Sequence, residues 1–235
     1  MTAHGLLRCQ NLQLGQAGTS RATVFTLNDS FLGALQTLRI GQTGSGGGTL
    51  DMSNGLIAAG ELVHIAPNGA VNGTGEINAG FLGLLNEGTL SPGITVVQAM
   101  SQAGTPQSTA MPEANLATLA ITGTLTISLT GRLEIPVTGS SVGQYGSLAV
   151  SGAAGLDGVL ALDFSNGFAP KQGDTFTFLS AGGGVGGTFD QVEINGLAQG
   201  FEYEITILNG QVVLEALNDG VPQQLQSLFL PLVVR

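Results

Sequence analysis

The chain has 235 residues, 43% of them apolar and only 9% charged, with six basic against sixteen acidic side chains and a net charge of -10. A phosphate backbone or an anionic membrane needs a basic stripe on its partner; with Lys171 the sole lysine there is none, which argues against nucleic acid and acidic lipid. No apolar run approaches the roughly 18 residues of a membrane span, and the 38 glycines follow no Gly-X-Y period, which excludes collagen.

The start, Met1 to Gln10, lacks the basic and long apolar regions of a signal peptide. An exported form has therefore lost or omitted its signal, or the sequence begins inside a longer gene product. Cys9 is the single cysteine, so no intrachain disulfide can form, and it is expected as a small buried hydrophobe in the first repeat.

Residues 1–93 repeat themselves, most clearly from residue 6. Gln10-Asn-Leu-Gln-Leu-Gly-Gln-Ala-Gly18 returns 26 residues later as Gln36-Thr-Leu-Arg-Ile-Gly-Gln-Thr-Gly44, with Thr23 falling on Thr49 and Asn28 on Asn54. At an offset of 25, Ile40, Gly44, Gly48, Thr49, Met52 and Gly55 map onto Ile65, Gly69, Gly73, Thr74, Ile77 and Gly80. A period in this range signals stacked units that bury their apolar faces only against neighbours. Short runs of Leu, Ile and Thr between Gly corners make the units strands, among them Asn11–Leu14, Thr37–Ile40 and Val63–Ile65. Leu38, Ile40 and Ile65 are expected to point inward, with Thr23, Thr49 and Thr74 in one ladder and Asn28 and Asn54 in another.

Residues 94–116, rich in Ala, Ser, Thr, Gln and Pro without a period, read as a loop or linker insertion. Strand patterning resumes over 117–219, as a β-rich continuation or cap, with runs at Leu119–Leu129, Arg132–Val137, Ser147–Ser151, Val159–Phe164, Thr175–Leu179, Phe189–Ile194, Phe201–Ile207 and Gln211–Ala216. Within it, Gly182–Gly187 satisfies Gly-X-Gly-X-X-Gly, but the next residues read as a strand. A dinucleotide site needs a helix N-terminus there, so the match reads as a flexible turn. Residues 220–235 form an apolar tail in which Leu228, Phe229, Leu230, Leu232 and Val233 crowd together around Pro231. They are the self-association candidates, because a terminal apolar strand without a hairpin partner can add to a sheet edge of a second copy; the alternative is that it docks on its own chain as a last strand.

Several blocks carry a resemblance: Gly88-Thr-Leu-Ser-Pro-Gly93, Leu119-Ala-Ile-Thr-Gly-Thr-Leu125, Tyr145-Gly-Ser-Leu-Ala-Val-Ser-Gly152, Leu156-Asp-Gly-Val-Leu-Ala-Leu162, Gly173-Asp-Thr-Phe-Thr-Phe-Leu179 and Gly187-Thr-Phe189. Together they resemble the block preceding the C-terminus in autotransporter-passenger-like secreted bacterial β-solenoid proteins. The chain departs from that block where it has Ser91-Pro-Gly93 and Tyr145-Gly146. The resemblance implies an exported, surface-associated β-solenoid and brings no catalytic residue with it.

Chemistry-bearing constellations are sparse. His4 and His64 lie far apart, and neither a calcium-binding Asp-X-Asp-X-Asp-Gly loop nor a Ser/His/Asp arrangement can be proposed. Glu202 and Glu204 would project about 6.6 Å apart from one strand, side by side instead of across a cleft, and read as a solvated face. The expectation is an all-β parallel β-solenoid (β-helix) with irregular β-rich C-terminal coils and a terminal apolar strand. It would be a non-enzymatic, cofactor-free extracellular structural protein that assembles with itself into a fibre, sheath or surface layer. The alternative is a monomeric adhesin-like or glycan-binding surface module.

Overall fold

The computed structural model describes residues 6–15, 21–26, 30–42, 44, 46–93 and 116–223, and these are all-β. Up to residue 93 the strands are β1 (Leu6–Cys9), β2 (Leu12–Leu14), β3 (Arg21–Thr26), β4 (Phe31–Ala34), β5 (Thr37–Ile40), β6 (Gly47–Ala59), β7 (Leu62–Ile65), β8 (Gly69–Asn78), β9 (Gly83–Asn86) and β10 (Thr89–Pro92). From residue 116 they are β11 (Leu116–Thr122), β12 (Leu125–Ile127), β13 (Arg132–Val137), β14 (Gln144–Val150), β15 (Ala154–Leu156) and β16 (Val159–Phe164). The last five are β17 (Thr175–Ala181), β18 (Val185–Gly187), β19 (Gln191–Asn195), β20 (Tyr203–Leu208) and β21 (Gln211–Ala216).

Side chains alternate in and out along each strand, so every second residue is buried in β5, β7 and β13. Leu38, Ile40 and Ile65 are fully buried, as expected. The strands form a three-sided wall around this core. One side is a seven-stranded sheet, β2-β5-β7-β9-β12-β15-β18, parallel throughout. The other two belong to a fourteen-stranded sheet, because β6 and β8 bend and serve both. The first half of β6 pairs with β3 and its second half with β4; the first half of β8 pairs with β10 and its second half with β11.

The expected parallel β-solenoid is corrected by the pairing in the middle of the chain. Five strands close on themselves in the order β8-β10-β13-β14-β11, a closed barrel, and the large sheet is mixed. The closure has a local cause. After β13 the chain reverses within residues 138–143: the Thr138 amide and hydroxyl both donate to the Gln144 carbonyl, and the Gln144 amide donates to Ser141. This reversal sets Val137 antiparallel to Tyr145 and ties the two sides together. Antiparallel pairing returns at the C-terminal end, where β17, β21 and β20 form a meander.

The repeat register is corrected too. Ile40 does pair with Ile65, but Thr49 pairs with Ala70 and Ile57 with Ile77. Thr74, expected opposite Thr49, is opposite Ser53. The cause is a shortened corner: residues 41–47 separate Ile40 from Gly48, whereas only 66–68 separate Ile65 from Gly69. Asn28 lies outside the described residues.

The core changes character along the chain. Toward the N-terminal end it is aliphatic, with Leu50, Met52, Ile57, Val71 and Ile77 almost fully buried; each such side chain contributes roughly 1.5–3 kcal/mol. Toward the other end Phe164, Phe176 and Phe178 take over, joined by Tyr145, Phe168, Phe201 and Tyr203. The expected boundaries also move. Leu116 already belongs to β11, and residues 220–223, expected in the tail, are held by backbone bonds from Gly220 to Pro170, Ala198 to Val221 and Gln223 to Gly196. Gly182–Gly187 is not wholly a turn, since Val185–Gly187 forms β18 on Ala154–Leu156.

Candidate association edges and outward ladders

Each strand of the first layer, β1, β2 and β3, is hydrogen-bonded on one side only among the described residues: to β4, β5 and β6. Alternate backbone N–H and C=O groups along such an edge await a partner strand, the usual template for pairing with another chain. The usual protections are scarce, for the three segments, Leu-Leu-Arg-Cys, Leu-Gln-Leu and Arg-Ala-Thr-Val-Phe-Thr, contain neither proline nor lysine. Cys9 is half-buried here, with its thiol 3.8 Å from the Gly33 carbonyl.

The opposite end is closed differently. β18 and β19 have one unpaired side among the described residues, but β17 is covered by β21, which is covered in turn by β20. Asn209 and Gly210, with φ of 52° and 75°, make the turn between β20 and β21; two successive positive φ values suit a two-residue hairpin. Simple stacking of a second copy would place its β1 where β21 already lies.

The outer surface carries polar ladders that run across strands. Arg39 donates to His64 Nδ1 at 3.2 Å, and His64 Nε2 donates to Glu87 at 2.7 Å. His64 thus stands between a cation and a carboxylate. This is half of a general-base dyad, but its other nitrogen faces a guanidinium and no nucleophile. On another side, Asn72 donates to Asp51 at 2.8 Å, and the buried Ser91 donates to Glu134 at 2.9 Å. Arg132 reaches Glu134 and, across the buried Ala161, Glu193, each at 2.7 Å. The Glu193 contact, opposed in part by burial and helped by Glu134, holds the guanidinium above its usual range; the same bond to Arg132 holds Glu193 below its own. Near the free side of β19, the Asp157 charge pushes Asp190 up, with some burial and a shared hydrogen bond adding to it. Asp219 is held down by the Gln172 amide first and by Lys171, 3.3 Å away, second.

The sequence candidates separate clearly. Leu228, Phe229, Leu230, Leu232 and Val233 lie outside the described residues, as does 94–115. Glu204 lies on β20 and Glu202 just before it; both are exposed, and the Glu202 amide donates to Asn218. Among the described residues no group of three or more His, Cys, Asp or Glu is placed to hold a metal ion, and no helix is long and apolar enough to cross a membrane. The repeat implied that the first unit leaves an exposed end, but not which strands, β1, β2 and β3, form it. Comparison with known proteins finds no family model that matches the chain and no curated protein that matches it.

Proposed function

We propose that this chain is a non-catalytic, extracellular structural subunit that assembles with further copies of itself into a fibre, sheath or surface layer. The observation that carries the reading is the first layer, in which β1, β2 and β3 each keep one side unpaired among the described residues. The hairpin on β17 disfavours plain end-to-end stacking, so strand addition is the better contact. In it the apolar tail 225–235 of one copy, carrying Leu228, Phe229, Leu230, Leu232 and Val233, pairs with the first layer of the next. Such a contact is heterologous and does not close, which generates a filament. Pro231 fits an edge position, where one missing N–H is tolerated. Low charge and the resemblance to autotransporter-passenger-like secreted proteins support the extracellular setting.

The test is electron microscopy and sedimentation of the full chain beside a deletion of residues 224–235. Filaments or large oligomers are expected for the full chain, and a folded monomer with unchanged β-content for the deletion. A full chain that stays monomeric, or a deletion that still polymerises or unfolds, would defeat the reading. The second reading, a monomeric adhesin-like or glycan-binding surface module, is favoured by an outward cleft beside Asn54.

A further inference from the structure

The side wall bends where β6 and β8 pass from one side to the next, and the bend is built with unusual backbone. Ser53 pairs with Thr74 and Gly55 with Gly75, leaving Asn54 as an extra, unpaired residue, a bulge with φ of 55°. Non-glycine residues rarely take this conformation, and bulges re-aim side chains and gather beside functional sites. The bulge is braced from within: the Asn54 amide donates to the hydroxyl of Thr74, itself buried, at 3.3 Å. Gly75, with φ of 126°, lies so close beneath that a Cβ there would collide with the Gly55 carbonyl. The bend therefore has a fixed shape with a backbone floor.

Over that floor opens a cleft of about 590 Å³, within the size range of small-ligand sites. Its walls carry the hydroxyls of Ser30 and Thr118, the exposed amide of Asn54, the exposed carboxylate of Glu76, and the apolar surfaces of Phe31 and Leu56. The ring of Phe31 lies across Gly33, where no side chain displaces it, and so forms one wall. Thr118 shares a hydrogen bond with Ser147 at 2.8 Å, and Glu76 accepts one from Thr122 at 3.1 Å, which steadies both at the rim. Among the described residues no lysine or arginine lines the cleft.

We infer that this cleft is a binding site for a neutral oligosaccharide. Hydroxyl, amide and carboxylate groups offer a sugar both donors and acceptors, and the exposed Leu56 offers an apolar surface for its C–H face. An anionic ligand would meet Glu76 with no cation among the described lining residues to balance it. The site lies on the side wall and does not depend on assembly, so binding and oligomeric state are measured separately.

The test is calorimetric titration of the full-length protein with neutral hexasaccharides of glucose, mannose and N-acetylglucosamine, beside oligogalacturonate and spermine. At least one neutral sugar is expected to bind, and oligogalacturonate not at all. Asn54→Gly keeps the left-handed backbone but removes the amide. It is expected to weaken binding about fivefold, the value of roughly one neutral hydrogen bond, with the melting temperature retained. Glu76→Ala, at an exposed position, should weaken binding comparably and serves where Asn54→Gly disturbs the fold. Absence of binding by every neutral sugar, tighter binding of oligogalacturonate or spermine, or unchanged affinity in both variants would overturn the inference.

Discussion

The N-terminal part, residues 6–93, and the C-terminal part, residues 116–223, use similar short strands but end in opposite ways. In the first part every pairing is parallel and the core is Leu, Ile, Val and Met; Phe31 is only half-buried and Phe81 is exposed. Aliphatic layers of this kind can be added repeatedly, and among the described residues nothing in that part stops pairing at β1, β2 and β3. In the second part aromatic rings fill the interior, and an antiparallel hairpin seals one side. Closing a stack thus takes two devices, larger side chains and a reversal of strand direction, and among the described residues only the C-terminal end has both.

The greatest expected difference between the parts comes from removing the aromatic plug. Phe176 is fully buried, and its ring centroid lies 5.5 Å from Tyr145, 6.1 Å from Phe164 and 6.4 Å from Phe168. Phe176→Ala should cost about 3–5 kcal/mol in denaturant unfolding, whereas Ile40→Val in the aliphatic part should cost only about 0.5–1.5 kcal/mol. Equal losses, although Ile40→Val removes one methyl group and Phe176→Ala a whole ring, would mean that the aliphatic part is the less tolerant of the two.

The corners of the N-terminal part supply the next effect. Gly41 has φ of 77°, and a Cβ there would run into the backbone of Gly69 in the layer above. Gly41→Ala should therefore destabilise by about 1–3 kcal/mol, read as a lower denaturation midpoint. A neutral result would show that the layers can spread apart at this corner.

Much of this contrast could be read in the sequence. The period-2 alternation located β13, β16 and β21 to the residue, and the repeat found the pairing of Leu12 with Leu38 and of Ile40 with Ile65. The register failed beyond Ile65, because a four-residue shortening of the corner keeps the strands paired while breaking the sequence offset. Barrel closure was illegible, since it depends on one tight reversal at 138–143 and on one bent strand, β8, that serves both β10 and β11. The antiparallel cap had a signal that went unused: Asn209-Gly210 between two apolar-alternating runs is a strong hairpin marker. The cleft at Asn54 left no trace, because a bulge is one extra residue within an ordinary-looking strand.

Surface charge gives smaller differences. Arg132 joins the closed barrel, through Glu134, to the edge strand β19, through Glu193, and all three side chains are about one-third exposed. Arg132→Gln should cost about 1 kcal/mol or less after solvent screening. The sign with pH follows from Glu193, whose folded pKa is depressed. Its stabilisation is present above its ordinary value of 4.5 and is lost as pH falls through the folded value, so the difference between Arg132→Gln and the parent should shrink toward zero in acid. A difference that stays constant would mark Arg132 as packing over Ala161 instead of pairing charges.

The smallest expected effect has the opposite sign and bears on the free side of β19. Asp190 is raised from its ordinary value of 3.8, chiefly by the charge of Asp157, with some burial and the shared hydrogen bond behind it. A carboxylate with a raised folded pKa binds its proton more tightly in the native state. Stability therefore falls as pH rises from 3.8 to the folded value, and the cost is fully present above it. Asp190→Asn removes the repulsion, so a small rise in melting temperature is expected at neutral pH, fading as the pH drops to 3.8 and below. Salt should shrink the gain, because both carboxylates are near the surface and screened. Relieving this repulsion also leaves β19 a less guarded edge, and sedimentation of Asp190→Asn should show more self-association than the parent at low salt. A variant that is more stable yet no more associated would show that the acidic pair does not guard this end, and that closure there is the work of the aromatic core and the β20–β21 hairpin.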